Sequence, residues 1–134
     1  MARRLAAVVA LVGSLLLAGC GVDLGTDQNG QKVASDKVDK QWLVINYWAE
    51  WCGPCRVEIP ELNHLSEQLK DQKVSVFGVN FDNLQGEELK TASNALGIKF
   101  TVLAQDPAAH YDLPPSEALP VTYIIDDKGK VREQ

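Results

Sequence analysis

Two short runs of the chain are apolar at nearly every position. WLVINYW (42–48) and VSVFGVN (74–80) are rich in β-branched and aromatic residues, as expected of strands buried on both faces. Between them Val57, Leu62, Leu65 and Leu69 recur near helical spacing, which predicts a helix over about 54–71. Pro60 falls inside it and is expected to bend it, because proline lacks an N–H and crowds the preceding turn. Leu89, Ala92, Ala95 and Leu96 predict a second helix over 86–96, stopped at Gly97. Residues 100–103 read as a third strand. Residues 106–111 read as a helical turn, with Asp106 as N-cap and Pro107 in first position. A loop over 112–119 contains Pro114 and Pro115. Residues 121–125 form another strand, 127–129 a turn, and 130–134 the start of a return strand. Trp42, Tyr47 and Phe77 are expected core residues. The order of elements indicates an α/β fold, with a mixed central sheet flanked by helices.

The N-terminus has a different pattern. Arg3 and Arg4 precede a stretch from Leu5 to Leu17 that is apolar apart from Gly13 and Ser14. A charged start and a short apolar core mark a secretory signal over 1–19, too short for a comfortable membrane span. It ends in Leu17-Ala18-Gly19-Cys20, which resembles the bacterial lipobox. The resemblance implies that Cys20 becomes the lipid-modified first residue, anchoring the protein to a membrane. Gly21 follows where an Asp commonly favours inner-membrane retention, which leans slightly toward the outer membrane. GVDLGTDQNG (21–30) is polar and glycine-rich, so residues 20–30 are expected to be the lipidated Cys and a flexible tether. The folded domain is then 31–134, with 31–40 adding a short edge hairpin.

A chain of 134 residues amounts to about one domain. Its formal net charge of −5, with no Lys/Arg block, argues against nucleic acid as a partner. The chain has 3 cysteines. With Cys20 acylated, Cys52 and Cys55 remain as a pair in WCGPC, where a buried strand gives way to a helix. Zinc usually needs four Cys or His ligands in spaced pairs. His64 and His110 form no such pattern, so no metal and no cofactor are expected. A permanent disulfide across so short a loop would stabilise little. A redox pair fits better. The helix N-terminus stabilises a thiolate at Cys52, Pro54 suits the first helical turn, and Gly53 lets the chain turn and a substrate approach. Cys55, one turn later, is more shielded and placed to resolve a mixed disulfide.

LVINYWAEWCGPC resembles the thioredoxin active-site segment. Cys55-Arg56-Val57-Glu58-Ile59-Pro60-Glu61-Leu62 resembles the CRxExPxL continuation of the TlpA-like (ResA-like) branch, and ALPVTYIID (118–126) its later strand and hairpin. The resemblance implies a thioredoxin-like fold and a thiol:disulfide oxidoreductase using Cys52 and Cys55. It implies a cis Leu119–Pro120 bond facing the cysteines, with the Leu119 backbone pairing with substrate. It implies Trp51, and Trp48, as aromatics shaping the site. Thioredoxins usually carry a buried Asp where this chain has Asn46. The TlpA-like branch instead implicates a Glu at the position of Glu58 in tuning the cysteines. Glu50 reads as a rim residue, and Tyr111, Pro114 and Pro115 as either groove lining or loop filler. The fold also normally continues into a final helix, which is expected to be missing from this chain.

The implied setting is the periplasm, with protein disulfide or dithiol clients and a membrane thiol-transfer protein as electron donor. Clients of the kind met in cytochrome c maturation or copper-centre assembly fit this setting. The Gly-Pro pair between the cysteines favours a reductase over a disulfide donor. A copper-site assembly chaperone is the alternative, disfavoured because such proteins tend to use CxxxC with a distant His. Intact Cys52 and Cys55 argue against a non-catalytic binding module.

Overall fold

Both apolar runs lie at the middle of one sheet. The computed structural model describes Gly13 and residues 21–134; the leader and Cys20 fall outside the described residues. β1 (Trp42–Trp48) and β2 (Val74–Asn80) pair in parallel, Trp42 opposite Val74 and Trp48 opposite Asn80. β3 (Thr101–Leu103) adds in parallel to β2. β4 (Val121–Ile125) runs antiparallel to β1, and β5 (Val131–Glu133) antiparallel to β4. The order is β3-β2-β1-β4-β5. The helices are α1 (Gly53–Leu69), α2 (Gly86–Ala95) and the short α3 (Ala108–Tyr111).

Strand alternation divides the core in two. Leu43, Ile45, Tyr47, Phe77, Val79, Tyr123 and Ile125 fill one face of the sheet. Val44, Trp48 and Val76 fill the other, against Cys55 and Ile59 of α1 and Leu89 and Ala92 of α2. The inward stripe of α1 is therefore Cys55, Ile59, Leu62 and Leu65. Val57, expected in that stripe, is 75% exposed, because it stands two residues round the helix from Cys55. Trp42, expected in the core, is 41% exposed at the open end of β1. Pro60 lies inside α1, which continues to Leu69.

Residues 21–30 are not a tether. Leu24 is 4% exposed and packs with Val33, Val38 and Tyr111 over the face formed by Leu43 and Ile45. Gly25 takes a left-handed turn (φ 80°), and Val33 N–H donates to its carbonyl at 2.9 Å. The Gln28 side chain serves β3 as a strand neighbour would. Its Nε2 donates to the Phe100 carbonyl at 3.2 Å, and its Oε1 accepts from Val102 N–H at 2.9 Å. The hairpin expected over 31–40 is reduced to one bridge, Thr26 to Lys32, followed by a 3-10 turn, Ser35–Lys37. The apolar residues here are too widely spaced for a periodic signal, yet they close one face of the sheet. No helix among the described residues is long and apolar enough to cross a membrane.

Candidate active site

β1 ends at Trp48, fully buried, and Ala49, Glu50 and Trp51 carry the chain to the head of α1. Phe81 N–H, just past β2, donates to the Trp48 carbonyl at 2.8 Å and ties the two strand ends together. Cys52 is the N-cap of α1 (φ −87°, ψ 102°), and its Sγ accepts from Cys55 N–H at 3.2 Å. This is the position where a helix offers unpaired N–H groups and a positive end. Cys52 and Cys55 are joined by a disulfide, with 5.3 Å between their Cα atoms. Cys52 is 4% exposed and Cys55 fully buried.

Gly53 and Pro54 are exposed in the first turn of α1. Gly53 has no positive φ, and a Cβ there would meet nothing within 4 Å. The turn expected of it falls earlier, at Glu50 and Trp51, closed by Cys52 N–H donating to the Ala49 carbonyl at 3.2 Å. Trp51 is 65% exposed, stacked edge-on against Phe81 with centroids 6.0 Å apart. Its Nε1 donates to Asp82 Oδ2 at 2.9 Å. The Glu50 backbone carbonyl accepts from Arg56 Nε at 2.7 Å.

The Leu119–Pro120 bond is cis. Val121 pairs with Tyr47, so Leu119 and Pro120 lie beside the end of β1 from which the cysteine loop departs. Leu119 packs against the cluster that contains both cysteines. Topology thus brings two stretches more than sixty residues apart in sequence to one edge of the site.

A profile of the AhpC/TSA family matches residues 21–134. The chain belongs to the AhpC/TSA family. Among curated relatives it is similar to the thiol-disulfide oxidoreductase ResA of Bacillus anthracis, 31% identical over 112 residues, covering 81% of this chain and 62% of that protein. The thiol:disulfide interchange protein DsbE homolog of Paracoccus denitrificans is 37% identical over 89 residues, covering 66% of this chain and 46% of that one. The chain therefore spans 62% or less of these relatives' lengths. Among solved structures, a thioredoxin family thiol:disulfide interchange protein from Chlorobium tepidum TLS superposes with a TM-score of 0.65 at 24% identity, covering 81% of this chain and 78% of that one. That likeness establishes the thioredoxin-like fold.

In this AhpC/TSA domain the expected Glu58 is half-buried on α1, one turn after Cys55. Its Oε2 lies 3.5 Å from Asn46 Nδ2, and the same nitrogen donates to Thr122 Oγ1 at 3.0 Å. Thr122 pairs with Asn46 across β1 and β4. Only its place two residues after Pro120, near the start of β4, signals it in the sequence. On the opposite face Tyr47 donates its hydroxyl to Asp106 Oδ1 at 2.6 Å, and the same oxygen accepts from Ala108 N–H two residues on; the N-cap of α3 is Pro107 rather than the expected Asp106, and the helix begins at Ala108. A groove of about 270 Å³ opens there, lined by Phe81, Asp106, Pro114, Pro115 and Leu119 among others. Pro114 and Pro115 are thus groove lining, whereas Tyr111 is core. Burial and the neighbouring Asp106 push the Tyr47 hydroxyl well above the usual phenol range, so Tyr47 remains a hydrogen-bond donor. Among the described residues, no three His, Cys, Asp or Glu side chains gather as metal ligands would.

Proposed function

We propose that this chain is a thiol:disulfide oxidoreductase that reduces protein disulfides through Cys52 and Cys55. The observation that carries the reading is the Cys52–Cys55 disulfide at the head of α1, with the cis Leu119–Pro120 bond at its edge. In the reduced protein Cys52 attacks a client disulfide. A Cys52–client bond forms, and the other client sulfur leaves as a thiolate that takes up a proton. Cys55 then attacks Cys52 Sγ, the internal disulfide reforms, and the second client sulfur is released. The client gains two electrons and the Cys52/Cys55 pair loses them. An external dithiol must reduce the pair again.

Trp51, Gly53, Pro54, Leu119 and Pro120 form the rim on which a client strand is held, with the Leu119 backbone as its pairing edge. Glu58 takes the proton from Cys55 as that sulfur attacks, because it is the half-buried carboxylate one turn along the same helix. In this reading the apolar leader exports the chain, Cys20 carries the lipid, and a membrane thiol-transfer protein supplies electrons. Clients such as those met in cytochrome c maturation suit that setting.

Incubating the Cys55→Ser protein with an extract of the exported compartment tests the exchange. Cys55→Ser is expected to retain clients as covalent adducts released by reductant, and Cys52→Ser to retain none. Failure of both variants to form adducts would remove the exchange mechanism. Labelling with a radioactive fatty acid, lost in Cys20→Ala, is the expected outcome for the anchor.

A further inference from the structure

Asn46 is 1% exposed, on the face of β1 that lies beneath α1 between Val44 and Trp48. Its Nδ2 uses both hydrogens, toward Thr122 and toward Glu58. Its Oδ1 is buried and has no hydrogen-bond partner. A buried amide oxygen without a donor is destabilising and needs an explanation.

Asn and Thr share a property that Asp, Leu and Val lack: each can donate or accept at the same place with no change in its own charge. Turning the Asn46 carboxamide half a turn puts Oδ1 where Nδ2 was, facing both Thr122 and Glu58. The Thr122 hydroxyl then rotates to donate. In the first orientation the amide donates to an ionised Glu58. In the second it accepts from a protonated one. The third position, now the orphaned Oδ1, has no partner to lock either orientation in place. A donor there would stabilise the amide but fix its direction.

We propose that Asn46, backed by Thr122, is a positioning residue that holds Glu58 near Cys55 in both protonation states and reverses its hydrogen bond as the proton moves. This rests on the reading of Glu58 as the proton partner of Cys55. In the resolving step the Cys55 proton passes to Glu58, and the Cys55 sulfur bonds to Cys52 Sγ. The bond from Cys52 to the client sulfur breaks, and the client sulfur leaves with the electron pair and takes a proton from solvent. Glu58 returns its proton to solvent. Through this cycle the carboxyl keeps one geometry because its partner can face it either way.

The test uses the reduced full-length protein and Ellman's disulfide. Cys52 releases one coloured thiolate on forming the adduct, and attack by Cys55 releases the second, so the second phase times resolution. Glu58→Gln is expected to slow that phase about a hundredfold, a usual scale for a lost proton acceptor. Asn46→Leu is expected to slow it about tenfold, the scale of one hydrogen bond to a charged group, and Thr122→Val about fivefold, the scale of one neutral hydrogen bond. Thr122→Ser is expected to restore the rate. Adding Asn46→Leu to Glu58→Gln is expected to slow it no further. Normal resolution in Thr122→Val and Asn46→Leu beside a slow Glu58→Gln would overturn the positioning role and leave the Glu58 reading standing. A normal Glu58→Gln would overturn both. Full additivity in the double variant would make Asn46 a structural residue only. Should Asn46→Leu fail to fold, the Thr122→Val and Thr122→Ser pair decides alone.

Discussion

Truncating Gln28 to alanine removes the two side-chain hydrogen bonds that the N-terminal segment makes to β3, beside its backbone bridge from Asp27 to Leu103. One is the bond to the Phe100 carbonyl and the other the bond from Val102 N–H. Each side chain-to-backbone bond contributes about 1 kcal/mol net, so Gln28→Ala is expected to destabilise the fold by about 2 kcal/mol. Val102 is fully buried. If water cannot reach its N–H after truncation, the unsatisfied donor adds roughly 1–3 kcal/mol. With a urea slope of about 1–3 kcal/mol/M, the unfolding midpoint should fall by roughly 1–2 M. Amide exchange at Val102 should accelerate with it, because its N–H loses the Gln28 acceptor while the neighbouring bridge from Asp27 to Leu103 stays in place. Circular dichroism across a urea series gives the first number and exchange mass spectrometry the second. A midpoint unchanged within error, with Val102 still protected, would show that the Gln28 bonds add nothing to the stability of β3 and would refute this argument.

Other parts of the structure give further outcomes. A Cβ at Gly78 would sit 2.9 Å from Phe100 Cε2 and 3.0 Å from Trp48 Nε1. Gly78→Ala is therefore expected to destabilise the protein by about 1–3 kcal/mol in a denaturant titration, through overpacking. Burial raises Tyr47, Tyr111 and Tyr123, with Tyr111 pushed up to about 12. Phenolate absorbance should stay low in the native protein near pH 10–11 and appear in full once it is unfolded. Because these folded values lie above the unfolded one, their contribution is fully present below about pH 10 and is lost as pH rises through the folded values. Asp126 behaves in the opposite sense. Backbone N–H groups of Lys130 and Lys128 and the Arg132 guanidinium hold its carboxyl below the usual range. Its contribution is present above about pH 4 and is lost as pH falls through the lowered folded value. Asp126→Asn should flatten the acid limb of a stability–pH curve.

What the sequence reveals follows from where periodicity is strong. β1 and β2 are legible because both their faces are buried, leaving an unbroken apolar run. The helix after Cys52 is legible from its spacing, but which of its apolar residues face inward is set by the sheet; Val57 points outward although it fits the pattern. Leu24, Val33 and Val38 carry no period, so a segment that reads as a tether covers one face of the sheet. At the site, Cys52, Cys55 and Pro120 announce themselves as motifs. Thr122, Asp82 and Phe81 do not, because their place depends on long-range pairing: Thr122 meets Asn46 across 76 positions, and Asp82 meets Trp51 across 31.

The central claim is that Cys52 and Cys55 form a reversible dithiol couple that passes electrons to protein clients. The most direct test equilibrates the protein in thiol buffers of stepped potential and counts free Cys52 and Cys55 by alkylation and mass. A single two-electron transition near the thioredoxin value of about −270 mV is the predicted result, with both sulfurs changing together. A pair that stays oxidised, or stays reduced, across the whole range would contradict the account.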